Sequence, residues 1–73
     1  GSAPPLVGTG KANPIATFLA ASMMLDYLNE KESAEQLRKA IESCIASKET
    51  TPDLDGNLTT NEVTKRVITR IQN

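Results

Sequence analysis

Two stretches of this chain have residue types and spacing that could do chemistry. The first is GSAPPLVGTGKANP, residues 1–14. Pro4-Pro5 stiffens it, while Gly8 and Gly10 let the backbone turn or come close to a bound group. Asn13-Pro14 reads as a helix start. Asn13 can cap free backbone N–H groups, and Pro14 at the first helical position lacks the N–H that would be orphaned there. A glycine-rich loop that feeds a helix N-terminus can receive a phosphate or a nucleotide, because unpaired N–H groups and the helix dipole point at it. The plainer reading is a linker between packed elements, and spacing alone puts it first. The familiar nucleotide fingerprints do not fit. GTGKAN lacks the third glycine of the dinucleotide pattern, and no strand precedes it. Gly10-Lys11 would close a P-loop, but Ala12 stands where Ser or Thr should hold magnesium and Pro5 where the first glycine should be.

The second stretch is TPDLDGNLTTNE, residues 51–62, which can be set against a calcium loop. Asp53 and Asp55 would be the third and fifth ligands, Gly56 the turning glycine, Leu58 the apolar eighth residue and Glu62 the bidentate twelfth. The first position needs an acid and holds Thr51. A turn that ends in a helix cap explains the same residues and is preferred. In that reading Thr59 to Glu62 form a capping box.

The rest of the composition narrows the chemistry. The chain has 73 residues, a net charge of −1, no histidine and one cysteine. It is long enough for one small domain, whose core would be marginal without help. The absence of histidine removes the commonest general base and metal ligand at neutral pH. Eight basic against nine acidic residues, with Phe18 and Tyr27 as the only aromatics, offer no surface for nucleic acid. The apolar run from Ile15 ends at Asp26, too short to span a bilayer. Cys44 lies in an apolar stripe and reads as a buried structural thiol. A lone thiol without a visible targeting segment suits a reducing compartment, the cytoplasm or, in a eukaryote, the mitochondrial matrix.

Three helices must position these stretches: residues 14–28, 33–47 and 60–71, with loops at 1–13 and 48–59. The first is apolar around most of its circumference. Ile15, Phe18, Leu19, Ser22 and Met23 are expected on one face, widened by Ala16, Ala20, Met24 and Tyr27. Such a helix is usually buried on several sides, and the remaining residues have little with which to cover it. The second is expected to start at a capping box, Ser33 to Gln36. It carries Leu37, Ile41, Cys44 and Ile45 inward, with Glu35, Arg38, Lys39 and Glu42 as a solvated face. The third buries Val63, Val67 and Ile71, helped by Ile68, and turns Lys65, Arg66 and Arg70 outward. No strand and no internal repeat are expected.

Three blocks, in matching order, resemble the β-decarboxylating dehydrogenases, which include the isocitrate, isopropylmalate and homoisocitrate dehydrogenases. Their nucleotide loop reads His-Gly-Ser/Thr-Ala-Pro, three residues, Gly, three residues, Ala/Val-Asn-Pro. Gly1-Ser2-Ala3-Pro4, Gly8 and Ala12-Asn13-Pro14 keep that spacing. Met23-Met24-Leu25 is similar to the family's apolar helix. Thr51 to Val63 is similar to its closing segment, a Thr-x-Asp-Leu/Ile-x-Gly turn and a Thr-Thr-x-Glu helix start.

The resemblance implies an α/β fold for the intact enzyme. This segment would be a mainly α C-terminal part of it, three helices plus a nucleotide-binding loop. Gly1, Ser2, Ala3, Pro4, Leu6, Ala12 and Asn13 would form the adenosine side of an NAD or NADP site. Leu6 would pack near the adenine and Asn13 would hydrogen-bond its edge. NADP-using members carry Lys-Tyr after Ala-Pro, with Tyr and Arg in the later loop. Here those places hold Pro5-Leu6, Pro52 and Gly56, which argues against a bound 2′-phosphate. The aspartate usual in NAD-using members is absent as well, so NAD is favoured by elimination. The catalytic residues and the ligands of Mg²⁺ or Mn²⁺ would lie outside this chain, which alone should be inactive. The implied partners are the remainder of the same enzyme, a 2-hydroxy acid (isocitrate ahead of isopropylmalate or homoisocitrate) and further copies in a dimer or larger oligomer. The competing reading is a small helical interaction module with a degenerate calcium loop.

Overall fold

A computed structural model describes residues 13–72, and the side chain of Gln72 is left aside. Three helices run in order: α1 (Ile15–Tyr27), α2 (Lys31–Ala46) and α3 (Thr60–Gln72). A single 3-10 turn, Pro52–Leu54, lies between α2 and α3. Among the described residues there is no strand, so the segment is mainly α as expected. No helix among them is long and apolar enough to cross a membrane.

α2 is the central element and packs against both α1 and α3. Its inner stripe is Ala34, Leu37, Ala40, Ile41 and Cys44, all buried. Ile15 from α1 and Val63 and Val67 from α3 complete the core, with Phe18, Leu25, Leu58 and Ile71 partly buried against it. The spacing of these positions follows the helical repeat, which is why the second and third helices were legible as amphipathic. Cys44 is fully buried as expected, and burial raises its thiol pKa, so it stays a protonated core residue.

α1 and α2 both end in the same closure. Asn29 adopts φ 65° and its N–H donates to Asp26, while Glu30 N–H donates to Leu25. Lys48 adopts φ 57°, donates to Ile45, and is followed by Glu49 N–H to Cys44. Each is a left-handed residue that satisfies the last carbonyls of its helix. Asparagine tolerates that conformation; lysine occupies it at some cost.

Two expectations about the helices are corrected. α2 begins at Lys31, with Glu30 before it, and no side chain caps its N-terminus. Ser33 is therefore already helical and Ser33 to Gln36 is not a capping box. The closure of α1 leaves Glu30 placed to accept from Ala34 N–H at 3.0 Å, so the next helix starts at once. Lys31 helps by donating from Nζ to the Asp26 carbonyl at 3.1 Å. The inward face of α1 also differs. Ile15 and Ser22 are buried and Phe18 and Leu25 half-buried, whereas Leu19 and Met23 point outward. An apolar helix has no pattern that selects one face, and α2 covers only one side of it. Ser22 is accepted inside because its hydroxyl donates to the Leu19 carbonyl at 2.7 Å.

Two smaller differences lie at the rims. Ile45 and Ile68 are exposed rather than inward. Several of the charges expected to be merely solvated are paired. Arg38 on α2 bonds the Asp26 carboxylate of α1 at 2.8 Å and Glu35 at 3.2 Å. Glu49 accepts from Arg66 at 2.9 Å and also pairs with Arg70, which reaches Ser43 as well.

Candidate nucleotide site at the start of the first helix

Among the described residues, the first candidate stretch meets the second through Asn13. Asn13 precedes α1, and its Oδ1 accepts from Ile15 N–H at 2.9 Å. Pro14 follows with φ −82° and ψ −5°, already helical, and its carbonyl takes Phe18 N–H at 3.0 Å. The amide therefore serves the helix start that the Asn-Pro pair predicts. Its Nδ2 donates to Asp53 Oδ2 at 3.0 Å, on the 3-10 turn. Gly1, Ser2, Ala3, Pro4, Leu6 and Ala12 lie outside the described residues.

The turn that carries Asp53 is tightly bonded to itself. Thr50 and Thr51 are fully buried. Thr50 Oγ1 donates to the Leu54 carbonyl at 3.0 Å, and the Thr50 carbonyl accepts from Leu58 N–H at 3.0 Å. Thr51 offers its carbonyl to Leu54 and Gly56 and its hydroxyl to Asp53 Oδ1. Asp55 sits at φ 67°, and Gly56 follows where the chain passes close to Thr50. A Cβ at Gly56 would lie 1.9 Å from the Thr50 carbonyl oxygen, so only glycine fits. The hydrogen bond from Thr51, then those from the Asp53 backbone and Asn13, holds the Asp53 carboxyl below its ordinary pKa.

The last helix begins with a reciprocal cap. Thr59 N–H donates to Glu62 Oε1 at 2.8 Å, and Glu62 N–H donates to Thr59 Oγ1 at 3.2 Å. The Thr59 N–H holds the Glu62 carboxyl below the usual range. Asp53 and Glu62 thus do the work of a turn and a cap. Among the described residues no three histidine, cysteine or acidic side chains gather as a metal cluster.

Sequence reasoning named Asn13 but missed its partner. Asp53 lies forty positions away, and no periodicity or local motif joins the two. A separate groove between α2 and α3, lined by Gln36, Lys39, Ala40, Ser43, Arg70 and Ile71, shares no residue with this junction.

An asparagine amide has two N–H groups and two lone pairs. In Asn13 one of each is used internally, by Asp53 and Ile15. The anionic Asp53 beside it disfavours a further anion at the same place.

Comparison with known proteins defines the class. The family model described as isocitrate/isopropylmalate dehydrogenase matches residues 1–67, and the chain belongs to that family. It is 49% identical over 72 residues to the 3-isopropylmalate/3-methylmalate dehydrogenase of Methanocaldococcus jannaschii, covering 99% of this chain and 22% of the relative. It is 42% identical over 72 residues to the homoisocitrate dehydrogenase of the same organism, covering 99% and 21%. It is 48% identical over 68 residues to the isocitrate/homoisocitrate dehydrogenase of Thermus thermophilus, covering 93% and 20%. These relatives act on different acids at similar identity, so the likeness distinguishes no single member. The chain spans about a fifth of the length of the relatives it matches.

Proposed function

We propose that this chain contributes the adenosine-binding loop of an NAD-dependent oxidative decarboxylase. The substrate would be a 2-hydroxy acid, isocitrate ahead of isopropylmalate or homoisocitrate. The observation that supports this reading is the Asn13 junction at the head of α1, within a stretch that the family model matches. Gly1, Ser2, Ala3, Pro4, Leu6 and Ala12 would line the nucleotide, and Asn13 would present its remaining N–H and lone pair to the adenine. Asp53, together with Pro52 and Gly56 where a 2′-phosphate would need cations, favours NAD over NADP.

When bound, the nicotinamide would accept the hydride from the carbon bearing the substrate hydroxyl, and Mg²⁺ or Mn²⁺ held by residues outside this chain would polarise that oxygen. The task of this segment is binding and orientation. A cofactor held at its adenosine end is delivered to the reacting centre without the entropy cost of a free encounter. The outer face of α1, with Met23, Met24 and Tyr27 at 65%, 64% and 89% exposure, would pack against the remainder of the same enzyme. A homo-oligomer, dimer or larger, and a cytoplasmic or mitochondrial matrix location complete the reading.

The test is an initial-rate assay of the full-length enzyme with each of the three acids, Mg²⁺, and NAD⁺ or NADP⁺. Dinucleotide reduction coupled to CO₂ release, with NAD⁺ preferred, is expected. Preference for NADP⁺ overturns the cofactor reading, and no turnover of any of the acids overturns the substrate reading.

A further inference from the structure

We infer that the groove between α2 and α3 is a binding site for a small dicarboxylate, held between Lys39 and Arg70 over a floor of Ala40 and Ile71. The inference uses none of the residues assigned to the nucleotide and stands apart from that reading.

The groove has a volume of about 480 Å³, within the range of pockets that take small molecules. Its α2 wall follows from the helical repeat. Gln36, then Lys39 and Ala40, then Ser43 recur at steps of three and four residues, so they line one strip of the helix. α3 supplies the other wall through Arg70 and Ile71. Ala40 is buried and Ile71 half-buried, which makes the floor apolar. Among the described residues no carboxylate lines the groove, although the chain has nine acidic residues.

The two cations are held differently. Arg70 donates to the Ser43 hydroxyl and to Glu49, which also accepts from Arg66 at 2.9 Å. One carboxylate therefore faces two guanidinium groups, and the cluster keeps a surplus positive charge. Glu49 and Ser43 also fix where Arg70 lies. Lys39 is exposed and forms no ion pair among the described residues. Glu35, four residues before it, is bonded to Arg38 instead. A fixed guanidinium can dock one carboxylate, and a flexible ammonium can then grip a second. Lys39 and Ser43, where Arg70 docks, stand one helical turn apart, about 6 Å along the axis. The carboxylates of a four- or five-carbon diacid span a similar distance, and its methylenes would lie over Ala40 and Ile71. A monocarboxylate satisfies only one of the two cations. Inorganic phosphate has neither the span nor the apolar body.

The experiment is peptide-resolved hydrogen exchange of the full-length enzyme with succinate as the probe, against butyrate and inorganic phosphate at matched ionic strength. Half-saturating succinate is expected to slow exchange about twofold in peptides covering α2 and α3. Lys39→Gln, at an exposed position where the core is untouched, is expected to weaken that binding about fivefold. Lys65→Gln removes the same charge from α3 outside the groove lining and is expected to match wild type. Succinate that leaves α2 and α3 unprotected overturns the inference. Protection that persists unchanged in Lys39→Gln also overturns it, because the ligand then acts from elsewhere. Equal protection by butyrate or phosphate overturns it in favour of a general anion site. An equal loss in Lys65→Gln overturns it in favour of a general charge effect.

Discussion

α1 and the α2–α3 pair are different kinds of helix and meet different fates. α2 and α3 are amphipathic, and they bury Leu37, Ile41, Cys44, Val63 and Val67 against each other and α1. Their charges close over the edges, with Glu49 held between Arg66 and Arg70. α1 is apolar around most of its circumference and buries only Ile15 and Ser22. Leu19, Met23, Met24, Tyr27 and Leu28 stay exposed. The difference teaches that the sequence of α2–α3 answers to partners within these residues. The sequence of α1 carries a second apolar face that the described residues leave uncovered. The Asn13–Asp53 junction sits at the head of α1, beside both.

Substitutions on the two sides should break this contrast unequally. Ile41→Ala removes a side chain 1% exposed and is expected to cost about 3 kcal/mol, read as a lower denaturation midpoint. Gly56→Ala forces the turn away from Thr50 and is expected to cost about 2 kcal/mol by the same measurement. Paired Met23→Ser and Met24→Ser, on the outer face of α1, should change the stability of this segment alone by less than about 0.5 kcal/mol while lowering its self-association in sedimentation. A large loss of stability there would mean that the face is already covered.

Acid sharpens the comparison further. Glu49, held down chiefly by its bond from Arg66, and Asp53 and Glu62 have pKa values below their ordinary ones in the folded chain. The unfolded chain therefore takes up protons first as pH falls. The stability these groups contribute is complete above the ordinary carboxylate range and is lost as pH drops through their lowered folded values. Thermal melts between pH 6 and about pH 2 should show that loss, and Asp53→Asn should remove part of it. The smallest effect is a gain. Lys48→Gly relieves a left-handed residue at the end of α2 and should stabilise by about 0.5 kcal/mol.

The sequence was most legible where a residue's partner is local. The Thr59–Glu62 cap, the Asn13-Pro14 helix start and the stripes of α2 and α3 follow from spacing of four residues or fewer. It was least legible in three places. The start of α2 was misplaced because Asn29 and Glu30 set it by closing α1, and a Ser-x-x-Gln pattern two residues later looked like a stronger signal. The inward face of α1 was misjudged because uniform apolarity does not encode direction. The Asn13–Asp53 bond could not be read at all, since it exists only once α2 and the turn have brought distant residues together.

The central claim, that the loop ahead of α1 receives the adenosine end of the cofactor, is tested most directly by peptide-resolved hydrogen exchange of the full-length enzyme with and without NAD⁺. The account predicts slowed exchange in peptides covering Gly1 to Asn13 and Thr51 to Asp55. NAD⁺ that binds and protects only peptides elsewhere, leaving these two unchanged, would contradict it.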